Sequence, residues 1–117
     1  MQYTWNFKLS HDIKGDLKHI LRETFSHQQK ELEIFLSYYT KMDGAVAENA
    51  TFEKAIEPVS NTSGKLILRF HKVFYNACLN IHETEKDQME VEYKIDWDGS
   101  TIKLLGPVIE ERGMDDI

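Results

Sequence analysis

Cys78, Asn80 and His82 are of the types that serve as nucleophile, orienting amide and base in thiol hydrolases. Alternate spacing places them on one strand face, where successive members stand ~6.7 Å apart. Cys78 and His82 are then about 13 Å apart at the backbone, far beyond the ~3 Å that a nucleophile requires from its base. The set reads as a strand face, and no catalytic residue is assigned. His19, Glu23 and His27 recur every four residues, on one side of a helix provided that it continues through Ser26. Neither a cysteine pair nor a second carboxylate completes a transition-metal shell there. The Glu-x-x-His spacing of carboxylate-bridged metal bundles is missing at Glu23, Glu31 and Glu33. No metal or other cofactor is assigned, and no Gly-rich phosphate loop or Ser-His-Asp pattern occurs.

The carboxylates carry the stronger signal. Glu83, Glu85, Asp87, Glu90, Glu92, Asp96 and Asp98 fall within sixteen residues that contain only two lysines, Lys86 and Lys94, so this stretch holds -5 of the chain's net charge of -6. Charge gathered on one hairpin creates a directional field, whereas the same charge scattered would only keep the chain in solution. These seven residues are the candidate partner-binding set.

The elements that must position them follow from hydrophobic period. Tyr3, Trp5, Phe7 and Leu9 alternate with polar residues and predict a first strand. From Ile13 to Tyr39 apolar residues recur at three and four, predicting a long amphipathic helix that Ser10 or Asp12 caps. Ser26 followed by Gln29 has the form of a capping box, so a kink or restart is expected near Ser26. Asp43-Gly44 stops the run. A short helix is expected after Thr51, ended by Pro58. Beyond the loop at 61–64, Leu66, Leu68 and Phe70 set one strand phase and Val73, Tyr75, Ala77, Leu79 and Ile81 the opposite one, which calls for a bulge or tight turn near Lys72. Met89, Val91, Tyr93, Ile95 and Trp97 form the cleanest alternation. Asp98-Gly99 suits a two-residue hairpin turn with positive φ at both positions, leading into Thr101 to Leu105.

The expected architecture is α+β: an N-terminal strand, two or three helices, then an antiparallel β-meander with the helices packed on one sheet face. The 117 residues make one domain, with an acidic C-terminal tail from about 108. Trp5, Phe7, Leu17, Leu21, Phe25, Leu32, Phe35, Leu36, Val91, Tyr93 and Ile95 are the expected core.

Twenty acidic against fourteen basic side chains argue against nucleic acid as partner, since phosphate binding relies on a cationic surface. A lone cysteine fits a reducing compartment, and no apolar run approaches the ~20 residues of a membrane span, so a cytoplasmic location is expected. Two function classes remain. One is a small acidic protein-binding module, such as a bacterial toxin-immunity or inhibitor protein that neutralises a cationic enzyme, for example a nuclease. The other is a nuclear-transport-factor-like domain holding a small apolar ligand or doing acid-base chemistry between helices and sheet. The second requires an ionisable group inside the apolar layer, for which Asp43, His71 and His82 are the candidates. The first is favoured, with a basic protein as partner and no enzyme activity.

Overall fold

Alternation at the N-terminus builds β1 (Thr4–Lys8), with Phe7 buried beneath it and Leu9 just beyond. The computed structural model describes residues 1–10, 16–58, 60–76 and 81–109, with only the backbone of 75, 76, 81 and 82. Helix α1 (Leu17–His27) is capped by Asp16, whose carboxylate accepts the His19 N–H at 3.0 Å. The cap is neither Ser10 nor Asp12. Ser10 instead donates its backbone N–H to Thr24 Oγ1 (3.1 Å), while 11–15, with Asp12 and Ile13, lie outside the described residues.

The helical run breaks at Gln28 (φ -126°, ψ 38°), two residues past the expected Ser26, and resumes as α2 (Gln29–Thr40) without a side-chain cap. Tertiary contact explains the position. The Gln28 carboxamide accepts the Lys8 N–H (3.2 Å) and donates to the Lys8 and Thr24 carbonyls (2.7 and 3.1 Å), clipping the helix junction onto β1. After a 3-10 turn, Lys41–Asp43, Gly44 takes the left-handed conformation (φ 77°) that ends the helical segment, as its sequence position implies.

Strand β2 (Ala45–Ile56) replaces the short helix expected after Thr51. Its buried residues, Ala45, Ala47, Ala50 and Phe52, do not keep period two because irregularities between Glu48 and Thr51 and between Phe52 and Lys54 shift its pairing with β3 (Ser63–Asn76). Asn49 sits in the first shift with φ 55°. By contrast β3 stays in register with β4 (Ile81–Asp96) from Ser63 opposite Lys94 to Asn76 opposite Ile81. The slip expected near Lys72 is therefore in the neighbouring strand, not in β3. Leu66, Leu68 and Phe70 are buried on the helix side. Val73 is buried on the other side, where it pairs with Val46.

Strand β5 (Thr101–Leu105) returns with Ile102 and Leu104 buried. The turn before it is not the expected two-residue form. It spans 97–100, its positive φ falls on Ser100 (60°) rather than Gly99, and Asp96 Oδ1 accepts the Gly99 N–H at 3.0 Å. Trp97, the last member of the alternation from Met89, is 39% exposed and donates its indole N–H to the Asn61 carbonyl (2.7 Å).

Among the described residues five strands form one antiparallel sheet in the order β1-β5-β4-β3-β2, so the α+β expectation stands, with two α-helices described. Both outer strands reach the same helix pair. From β1's side come Lys8 to Gln28 and Tyr3 N–H to Tyr39 Oη (3.0 Å); from β2's side, Gln29 bonds the Ala50 carbonyl (3.1 Å) and Thr40 the Ala45 carbonyl (2.9 Å). The sheet thus curls round the helices, enclosing Leu21, Phe25, Leu32, Phe35 and Leu36 against Phe7, Leu66, Leu68, Val91, Tyr93, Ile102 and Leu104. Phe25 meets Phe7 edge-on at 5.4 Å and stacks near Phe52 at 6.3 Å, ring geometries that add to burial. Trp5 and Leu17 pack against this core while partly exposed. Among the described residues no helix is long and apolar enough to cross a membrane.

Candidate protein-binding site

Strand β4 is sixteen residues long, yet β5 pairs only with its Glu92–Asp96 portion. From Ile81 to Val91 it has β3 on one side and, among the described residues, no strand on the other. The stretch 83–90 alone runs about 26 Å.

Side-chain alternation sorts the candidate residues. Odd positions of β4 share the helix-side face with Val91 and Tyr93, and Glu83, Glu85 and Asp87 continue that face beyond the apolar stretch, where all three are exposed. Glu90, Glu92 and Asp96 lie on the opposite face and Asp98 in the following turn. The seven carboxylates therefore do not make one surface. On the outer face they alternate with cations: Glu90 pairs with Lys65 (3.7 Å), Lys94 lies opposite Lys103, and Glu53 holds Arg69 (3.3 Å). A basin of about 560 Å³ is lined by Arg69, His71, Lys86, Asn49, Thr51 and Gln88, with Phe70 and Asp87 of the alternate phase also bordering it. The outer face is mixed in sign. The acidic excess belongs to the helix side.

That side has its own organisation. Lys72 continues the phase of Leu66, Leu68 and Phe70, its side chain 15% exposed, and its ammonium lies 2.8 Å from Asp43 Oδ2, 4.0 Å from Asp87 Oδ2 and 5.6 Å from the Phe74 ring centre. The hydrogen bond to Asp43 raises the Lys72 pKa above its usual value, assisted by the charges of Asp43, Asp87 and Glu85 and opposed by burial. One cation thus sits among Asp43, Glu85 and Asp87, with Glu83 next along the strand, and the group keeps a negative excess. Asp87 also accepts the N–H of Gln88 through Oδ1 at 2.7 Å. Lys72 was not selected from sequence as a site residue, and Asp43 was named there only as a candidate ionisable group of the apolar layer, not as part of the acidic set. A lysine in the buried phase of an otherwise apolar strand was the available signal.

The other candidates separate. Cys78 and Asn80 lie outside the described residues, as does the side chain of His82. In α1, Glu23 and His27 approach to 3.5 Å, and His19 is exposed; among the described residues no three His, Cys, Asp or Glu side chains gather as metal ligands. Buried polar residues of the described interior are Thr24 and Thr40, each hydrogen-bonded to backbone. Asp43 is exposed, and His71 is on the outer face, its Nδ1 3.1 Å from the Asn49 amide. Comparison with protein-family models, curated proteins and solved structures finds no match for the chain.

Proposed function

We propose that the chain is a protein-binding module that recognises a cationic protein through the far part of the β3–β4 hairpin, with Glu83, Glu85 and Asp87 as the contacting carboxylates and Asp43 beside them. The observation that carries this reading is the row of three exposed acids on the helix-side face, with Lys72 the cation that pairs with Asp87 among the described residues. Carboxylates arranged in this way steer a basic surface into encounter and then pair with it. Lys72 holds Asp43 and Asp87 in place, so part of the ordering cost is met before a partner arrives. The most specific form of the proposal is an inhibitor or immunity protein that covers the basic active site of an enzyme such as a nuclease; size, acidity and the stretch of β4 that outruns β5 support it. Glu90, Glu92, Asp96 and Asp98 are then peripheral, since lysines already neighbour the first two.

The test is recovery of partners from the native host at low ionic strength by the tagged wild-type protein and by Glu83→Gln/Glu85→Gln/Asp87→Asn. A basic protein held by the first and lost by the second is the expected result. Identical recoveries would remove these acids from the interface.

A further inference from the structure

Resting on that reading, we infer how the partner docks: an extended basic segment adds to the open edge of β4 as an antiparallel strand over 84–90. The Ile95 N–H bonds the Thr62 carbonyl (2.7 Å), so odd-numbered residues of β4 direct their backbone groups toward β3 and even-numbered ones away from it. Over 92–96 those even positions pair with β5. Over 84–90 the backbone groups of Thr84, Lys86, Gln88 and Glu90 face the edge of β4 that no strand covers among the described residues. The chain leaves this edge where β5 ends at Leu105, with Gly106-Pro107 following, and a groove of about 420 Å³ opens there between 88–92 and 105–108. An incoming strand enters through that groove, alongside β4 in place of β5.

The ladder also specifies its sequence pattern. Residues of the added strand opposite Glu83, Glu85 and Asp87 occupy non-hydrogen-bonded pairs, where facing side chains come closest. Lys or Arg belongs at those alternate positions, on the helix-side face. The residues between them supply the N–H and C=O groups that bond Thr84, Lys86, Gln88 and Glu90, and their side chains face the mixed outer surface. A second copy of this chain does not fit, because 83–90 carries four acids and one lysine and two copies would oppose like charges. In the free protein Asp87 occupies the Gln88 N–H, a local guard that an incoming carbonyl displaces.

The probe is a capped octapeptide alternating Lys and Thr, with two variants N-methylated at every Thr or at every Lys. Strand addition predicts that the parent peptide binds, that it slows hydrogen exchange at the Thr84, Lys86 and Glu90 amides, and that N-methylation at Thr weakens binding at least tenfold while N-methylation at Lys is tolerated. Equal affinity of both methylated forms, lost in Glu83→Lys/Glu85→Lys, overturns strand addition and leaves the acidic interface standing. Binding that is unchanged in that variant, or no binding by any of the three peptides, overturns strand addition as well. Of these, only binding unchanged in the variant also removes Glu83 and Glu85 from the interface.

Discussion

Lys72 shows how one residue links fold and site. Lys72→Met removes a charge-assisted hydrogen bond to an Asp43 side chain that is 57% exposed, so solvent screening limits the loss to roughly 0.5 to 1 kcal/mol. Urea unfolding at low salt reads this, and Asp43→Asn added to Lys72→Met should cost nothing further, because the pair acts as a unit. Burial raises the pKa values of Tyr39 and Tyr93 above the usual 10.0, and the hydrogen bond to Asp43 raises Lys72 above 10.5. Each group binds its proton more tightly when folded. Its contribution to stability is complete below the unfolded value and is lost as pH rises through the folded one. Stability should therefore fall above about pH 10 in a thermal-unfolding series, and Tyr93→Phe, which also loses the 2.6 Å bond from its hydroxyl to the Ser60 carbonyl, should flatten that fall. Gly106→Ala should destabilise by roughly 1 to 3 kcal/mol in the same assay, because the added methyl meets the Tyr39 ring.

Among elements, those whose period ran unbroken were legible in sequence and those shaped by a neighbour were not. The alternation of Val91, Tyr93 and Ile95 and the helical spacing of Leu32, Phe35 and Leu36 both place buried residues correctly. Strand β2 was missed because its two irregularities scramble period two, and the Gln28 break was misplaced because its cause is a contact with Lys8, twenty residues away. The acids of β4 were visible as a cluster. The alternation with Val91, Tyr93 and Ile95 already turns Glu90, Glu92 and Asp96 away from the core, whereas placing Glu83, Glu85 and Asp87 on the helix side needed the register, since the apolar phase of β4 ends at Met89. Phe35→Ala should cost roughly 3 to 5 kcal/mol in urea unfolding, for its fully buried ring leaves a cavity. Within β4, amide exchange in the free protein should alternate, fast at Thr84, Lys86 and Glu90 and slow at Glu85, Asp87 and Met89, with Gln88 slowed by Asp87. Uniform protection over 84–90 would mean that the edge is covered.

For the whole molecule, a net charge of -6 says little by itself, because the outer sheet face alternates lysines with its acids. What gives the surface direction is the unbalanced row on the helix-side face of a hairpin that outruns its neighbour β5. The account is tested most directly by stopped-flow association with the basic partner recovered from the host, over a salt series, for two charge reversals of equal size. Glu83→Lys/Glu85→Lys should slow association by about one to two orders of magnitude at low salt, while Glu90→Lys/Glu92→Lys, on the mixed face, should change it about threefold or less. Equal slowing by both pairs, or association independent of salt in the wild-type protein, would contradict the account.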